Sequence, residues 1–270
     1  MARRRLKSVW LGMGAYCLAA VTVPAFVRAN GEEVSAQQKS VAADAYTPFN
    51  LNLDGLPAEV RQRVRAVVEQ PTLSARGPLE MFTCQPSMYH WLLDHPDQTV
   101  KLWRRLGAKC IDIDDRGNGR FAWKEGVSEV HWDLVRDAPR QRVWYAEGQV
   151  KPSLLLPMVS LKAVLVLDFA EGKDGNGRLA VRHQMHLIVH TDSRAVALAT
   201  RVMGDSAPKM ADQFLGQLQM FYAAMAWYLD QHPDKQEKMF ATLQQADPPG
   251  TKLNSPIPAQ AAGRGALPEH

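Results

Sequence analysis

The middle of the chain alternates between apolar and polar residues in a pattern that predicts one antiparallel sheet. Short segments with apolar residues at every second position are separated by turns rich in Gly, Asn, Asp and Pro. Segments that follow one another in this way pair as hairpins. The predicted strands are residues 78–84, 108–114, 119–124, 128–135, 142–150, 162–170 and 178–190.

Two short helices are predicted between the first and second strands. Pro86 begins the first helix, residues 86–94, and the pair His95-Pro96 ends it. The second helix, residues 97–106, ends at Gly107, because glycine readily takes the left-handed conformation that closes a helix. The chain therefore reads as a strand, two helices and then a run of hairpins.

A long helix is predicted after the last strand, at residues 208–231. Its apolar stripe is broader than a surface helix needs, which suits a helix held in the curve of a sheet. Residues 193–203 predict a shorter helix before it. Residues 57–70 carry valines at helical spacing and predict an amphipathic helix that packs onto the domain. The stripe of the long helix consists of Phe214, Leu215, Leu218, Phe221, Tyr222, Met225 and Leu229.

The first 29 residues have the pattern of an export signal. A basic head precedes an apolar run at residues 10–27, which closes on Val27-Arg28-Ala29, with small residues at the positions that signal peptidase reads. Cleavage would place the protein in the periplasm or outside the cell. The alternative is an uncleaved anchor in the inner membrane formed by residues 8–27, since a span takes about 20 apolar residues.

Removing residues 1–29 changes the charge of the protein. The whole chain has 32 Lys and Arg and 28 Asp and Glu, but five of the basic residues lie in the signal, which leaves 27 against 28. A near-neutral chain gives no electrostatic reason to bind nucleic acid, so we expect no such partner. Membrane contact is expected only through an uncleaved signal.

The remaining chain is organised around one domain. Residues 30–76 read as a linker that contains the short amphipathic helix, residues 77–238 have the size of a single domain, and residues 239–270 read as a disordered tail rich in proline. Two cysteines remain after the signal, Cys84 and Cys110. In an oxidising compartment they form either a disulfide or two buried free thiols.

The helix pair carries a pattern of its own. Tyr89, Leu92, Asp94, Pro96 and Leu102-Trp103 form an aromatic-led helix, a break at Asp and Pro, and a tryptophan before the next strand. With the order of elements, this pattern resembles the START-like or helix-grip superfamily. The resemblance covers residues 78–231, and it departs from the family pattern where Arg104-Arg105 replaces a common proline.

The resemblance implies an α+β fold, in which a curved antiparallel sheet of about seven strands grips a long C-terminal helix, with two short helices after the first strand. We call the space between the sheet and that helix the grip. Members of the superfamily use it for lipids, polyketides or hormones, for enzymatic cyclisation, or for binding other proteins.

Strand alternation predicts which side chains face the grip. His183 is the one inward polar residue of its strand, and Glu147 faces inward if Tyr145 does, which predicts a buried pair of His183 and Glu147. Such a pair could bind a ligand head group or act as acid and base; alternatively, it is ordinary core. The predicted lining is Trp123, Trp132, Tyr145, Glu147, His183, Met185 and Phe221.

No metal or cofactor is expected. Residues 112–118 imitate the start of a calcium loop, but Arg116 and Trp123 stand where ligands are required. His183, His186 and His190 lie on one strand and cannot converge on zinc as they would on a helix. No nucleophile or phosphate-binding motif is present.

Two classes of function are consistent with these features. The first is an exported, non-catalytic binding protein that holds a hydrophobic or lipid-like ligand in the grip. The second is an interaction or structural protein of the cell envelope whose grip is filled by its own side chains. An enzyme that uses the same cavity is a third, minor alternative.

Overall fold

The computed structural model describes residues 51–151, 157–193, 196 and 206–246. Residues 1–50, residues 247–270 and nearly all of the predicted helix at 193–203 lie outside this description. The protein has an α+β fold built on an eight-stranded sheet. Its elements are α1 (Ala58–Glu69), β1 (Leu73–Arg76), β2 (Glu80–Thr83), α2 (Pro86–Asp94), α3 (Pro96–Arg105), β3 (Asp114–Asp115), β4 (Arg120–Glu125), β5 (Ser128–Ala138), β6 (Gln141–Val150), β7 (Val159–Lys173), β8 (Leu179–His190), α4 (Ser206–Gln231) and α5 (Pro233–Ala246).

The predicted order of elements is confirmed from β2 to α4. All pairings in the sheet are antiparallel. The strand order is β1-β8-β7-β6-β5-β4-β3, and β2 also pairs with β8. As predicted, α2 ends before Pro96, and Gly107 has a φ of +90° just after α3. The chain therefore folds as a meander with the long helix returning at its end.

Three predicted boundaries are wrong. Strand β3 is only Asp114–Asp115, because Ala108, Cys110 and Ile113 pack onto the core without joining the ladder. The sheet begins at Leu73, within the predicted linker, which makes it one strand larger than expected. Helix α5 continues to Ala246, past the predicted start of the tail at 239.

Helices cover both faces of the sheet. We call the face that packs against α2, α3, α4 and α5 the inner face, and the opposite face the outer face. Helix α1 packs on the outer face through Val64 and Val67, which confirms the predicted amphipathic helix. None of the helices within the described ranges is both long and apolar enough to cross a membrane. The outer cluster consists of Val64, Val67, Val143, Tyr145, Val164, Val166 and Ile188.

Helix α4 lies along the edge of the sheet formed by β1 and β2. The backbone N–H of Arg76 donates to Asp212 Oδ1 at 2.6 Å. The amide of Gln219 donates to the Pro78 carbonyl at 2.7 Å and accepts from Met185 N at 3.1 Å. A bare strand edge is prone to pairing with other chains, so these anchors protect it as well as fixing the register of the helix.

A glycine makes the approach of α4 possible. Between β1 and β2, Gly77 donates its N–H to the Met185 carbonyl at 2.9 Å. A Cβ atom at this position would lie 1.7 Å from Oε1 of Gln219. Only glycine therefore leaves room for the buried glutamine that joins helix, edge strand and β8.

Candidate functional site

The structure divides the seven predicted lining residues between the two faces of the sheet. Five belong to the inner side. Four of them lie on β4, β5 and β8, on the side that alternation predicted. The fifth, Phe221, lies on α4. The inner residues are Trp123, Trp132, His183, Met185 and Phe221.

The predicted inward orientation of Tyr145 and Glu147 is wrong. Tyr145 packs on the outer face against Val64 and Val67 of α1, and Arg63 lies over its ring at 4.9 Å. Trp144 faces the inner core in its place. Strand β6 is buried on both faces, so its sequence lacks the alternation that would have indicated the direction.

The predicted pair of His183 and Glu147 is consequently wrong as well. Nδ1 of His183 lies 2.7 Å from the hydroxyl of Tyr89, and its Nε2 lies 3.3 Å from Oε2 of Glu80. A carboxylate only accepts, so Nε2 donates to Glu80; in the neutral ring Nδ1 then accepts from the Tyr89 hydroxyl. Both ring nitrogens of His183 are thus engaged.

This Glu80–His183–Tyr89 chain is closed to solvent. His183 and Tyr89 are fully buried, and Glu80 is 8% exposed. Burial raises the pKa of Tyr89 well above its usual value, so the phenol stays protonated. The chain ties α2 to the edge strand β2 and to β8, and it leaves neither ring nitrogen of His183 free for a ligand.

Sequence reasoning missed both true partners of His183. Glu80 lies directly opposite His183 in the pairing of β2 with β8. Its inward orientation could have been derived from the alternation of the first strand. Tyr89 was already part of the helix-pair pattern, but its contact depends on how α2 crosses the sheet, which no local pattern indicates.

A second charged group lies inside the inner layer. The Arg142 side chain is 5% exposed and forms ion pairs with Asp94 at 2.7 Å and Asp137 at 3.0 Å. These two carboxylates come from the end of α2 and from β5. Arg142 therefore joins the end of α2 to the hairpin of β5 and β6.

The grip has two unlike halves. The closed half, around Tyr89, His183 and Met185, is packed with side chains, and Met185 is 2% exposed. The ring centroids of Trp103 on α3 and Phe221 on α4 lie 4.0 Å apart in the same cluster. The open half is a smaller cluster with Val130, Ala146 and Ala163 at its base and half-buried residues around them. Those residues are Trp123, Trp132, Val150, Leu187 and Val189.

Two pockets lie outside the grip. One, of about 530 Å³, is formed by α3 and residues 112–116; two of its acidic residues pair with arginines, Asp112 with Arg104 and Asp114 with Arg116. The other, of about 310 Å³, lies on the outer face and includes Glu147. Within the described ranges, no cluster of three or more His, Cys, Asp or Glu is arranged to hold a metal ion.

Cys84 and Cys110 are both free thiols in the structure. Burial, with smaller contributions from Asp230 and Glu171, raises the pKa of Cys84 to about 12. Burial also raises the pKa of Cys110. Thiols with a raised pKa are weak nucleophiles and weak metal ligands, so both cysteines behave as small apolar residues.

The chain is an α+β protein with an antiparallel sheet and a long C-terminal helix. No protein-family model matches it, and no curated protein sequence does. It is similar to the crystal structure of a conserved protein from Geobacillus kaustophilus, at 13% identity over 56% of this chain and 95% of that one, with a TM-score of 0.38. It is also similar to a hypothetical protein of Helicobacter pylori, at 11% identity over 68% of this chain and 98% of the other, with a TM-score of 0.36. A third similar structure is an uncharacterised protein from Rhizobium leguminosarum, at 9% identity over 53% and 97%, with a TM-score of 0.29.

Proposed function

We propose that this chain is an exported, non-catalytic binding protein of the cell envelope, whose grip is filled by its own side chains and whose partners bind on its surface. The packing of the closed half carries this proposal. His183 and Met185, which would have met a ligand there, are 0% and 2% exposed. The interior is close-packed, so a ligand could enter only by displacing core side chains.

The absence of a catalytic role rests on the state of His183. A general base must lie within hydrogen-bonding reach of its substrate. Both nitrogens of His183 are already bonded within the core, and the ring has no exposed surface. The buried chain of Glu80, His183 and Tyr89 is therefore better explained as a structural network.

Export is proposed from the sequence alone. The basic head and apolar run of residues 1–29 are typical of a cleaved signal. Two free thiols are compatible with an envelope protein, because an oxidising compartment permits disulfides without requiring them.

A second candidate function is a carrier for a hydrophobic ligand in the open half of the grip. The half-buried tryptophans Trp123 and Trp132, above the small side chains of Ala146 and Ala163, favour it. The START-like resemblance of the helix pair and the element order gives further support, because members of that superfamily hold apolar ligands between sheet and helix.

Titration of the purified full chain with the fluorescent hydrophobe N-phenyl-1-naphthylamine distinguishes the two candidates. The filled grip predicts no saturable binding. A carrier predicts saturable binding that the variant Leu187→Trp abolishes, because Leu187 is half-buried in the open half and a larger ring would occupy it. Thermal melting of the variant confirms that it is folded, and saturable binding lost in a folded variant would overturn the proposal.

A further inference from the structure

We propose that the outer-face pocket of about 310 Å³ binds a small zwitterion, the size of an amino acid or a dipeptide. This inference rests on the proposed function, in which binding takes place outside the grip. The ammonium of the ligand would meet Glu147, and its carboxylate would meet Lys162. The pocket volume lies at the lower end of the range for small-molecule sites, about 300 to 1,000 Å³.

Four polar residues cross the sheet in one row to form the base of this pocket. His131 pairs directly with Glu147, Glu147 with Lys162, and Lys162 with His190. Residues paired in this way share one face of the sheet. Neighbouring strands lie about 4.8 Å apart, so the row places two opposite charges side by side at its centre.

Glu147 is held as an acceptor facing the pocket. The hydroxyl of Tyr145 donates to its Oε2 at 3.1 Å. Burial, followed by this bond, raises the pKa of Tyr145 to about 12, so the phenol remains a donor. Arg63 of α1 lies over the same ring. The carboxylate is otherwise exposed, and its second oxygen is free to accept from an ammonium group.

His190 is held at the opposite end of the row. Its Nδ1 lies 2.6 Å from the carbonyl oxygen of Gln70, just after α1, and its Nε2 lies 3.2 Å from Oδ1 of Asp192. Both ring nitrogens of His190 are therefore engaged, one by the backbone beyond α1 and one by Asp192. Gln70, just after α1, holds His190, and Arg63 of α1 packs on the tyrosine that holds Glu147.

Lys162 completes the site. Opposite charges on directly paired strand positions commonly attract each other. Yet Lys162 forms no ion pair within the described part of the chain, although Glu147 lies directly opposite. The ammonium of Lys162 and the carboxylate of Glu147 are thus separate and exposed, with the pocket beside them. A ligand with a carboxylate and an ammonium of its own matches this arrangement.

Calorimetric titration with glycylglycine tests the site. We expect saturable binding to the full chain, and binding at least about tenfold weaker for N-acetylglycine, which lacks the ammonium, and for glycinamide, which lacks the carboxylate. Lys162→Met and Glu147→Gln should each weaken glycylglycine binding at least about tenfold. The matched controls Lys173→Met, at the far end of β7, and Glu125→Gln, on β4, should leave it unchanged.

The outcomes separate this inference from the proposed function. The zwitterion site is wrong if glycylglycine shows no saturable binding. It is also wrong if the control variants weaken glycylglycine binding as much as Lys162→Met and Glu147→Gln do. The proposed function then still depends on the titration with the hydrophobe. If glycylglycine binds as expected while the hydrophobe also saturates the grip, the surface site stands and the filled grip is wrong.

Discussion

Gly77 interrupts the edge of the sheet and lets Gln219 of α4 reach the backbone of β8. Substitution Gly77→Ala would place a Cβ atom 1.7 Å from Oε1 of Gln219. The glutamine would have to move and give up its bonds to Met185 and Pro78, at 3.1 and 2.7 Å. We expect the free energy of unfolding to fall by about 2 kcal/mol or more, because overpacking adds to lost buried hydrogen bonds.

Urea denaturation measures this loss, and Gly172→Ala is the matched control. A Cβ atom at Gly172 would meet nothing within 4 Å, and the residue lies on β7. If the two variants are equally stable, the hydrogen bonds of Gln219 to Met185 and Pro78 do not hold α4 against the sheet as described.

The hydroxyl of Tyr89 satisfies a nitrogen of His183 that has no access to water. Tyr89→Phe would leave that nitrogen without a partner in the core. An unsatisfied buried polar group costs about 1 to 3 kcal/mol, so we expect a loss of this size in the free energy of unfolding. Tyr228→Phe is the control, because the Tyr228 hydroxyl makes no hydrogen bond to any described residue, while its ring stacks on His232 and lies under Lys235. A stable Tyr89→Phe variant would show that the hydroxyl does not complete the buried chain.

Residue roles were only partly predictable from the sequence. Alternation correctly placed His183, Trp132 and Met185 on the inner face, because their strands have a polar and an apolar side. The partners of His183 depend on tertiary contacts over long separations in the chain, Glu80 being 103 residues away. Local patterns carry no information about such contacts.

The orientation of a strand was predicted correctly where its residues alternate between a polar and an apolar face, and wrongly where both faces are apolar. Residues 143–146 of β6 are all buried, since one face meets the inner core and the other meets α1. The residues of β6 therefore do not indicate which side chains face inward, and the prediction placed Tyr145 and Glu147 on the wrong face. Strand β1 was missed because it has only four residues and lies just before the break at Gly77.

Helix α1 is predicted to be an integral layer of the domain. Val67 is fully buried between α1 and the sheet, whereas its neighbour Val68 is only partly buried. We expect Val67→Ala to lower the free energy of unfolding by about 1 to 3 kcal/mol through lost apolar burial and the cavity left behind. Val68→Ala should lower the free energy of unfolding by clearly less. Urea denaturation of both variants measures the difference, and equal small effects would mean that α1 is not docked as described.

At the scale of the whole molecule, the described domain holds both of its cysteines as free thiols, and Cys84 is buried. With a pKa of about 12, only about one part in 10,000 of Cys84 is thiolate at pH 8. Iodoacetamide should therefore modify Cys84 very slowly in the native protein. After denaturation without a reductant, both Cys84 and Cys110 should be modified, as peptide mass spectrometry can measure. Two unmodified cysteines in the denatured protein would indicate a disulfide instead.

The two halves of the grip explain why the function could not be read from the fold alone. Whether a sheet and a helix enclose a cavity depends on how large the inward side chains are and how closely they approach. Here the closed half is filled by Tyr89, His183 and Met185, while the charged row on the outer face lies open. For this reason the proposed binding surface lies on the face opposite the grip.

Native mass spectrometry of the protein purified from its own host tests this central claim most directly. The filled grip predicts the mass of the polypeptide alone, with no bound hydrophobe released by organic extraction. A stoichiometric lipid or other hydrophobe that co-purifies with the protein, and that is lost in the folded Leu187→Trp variant, would contradict it.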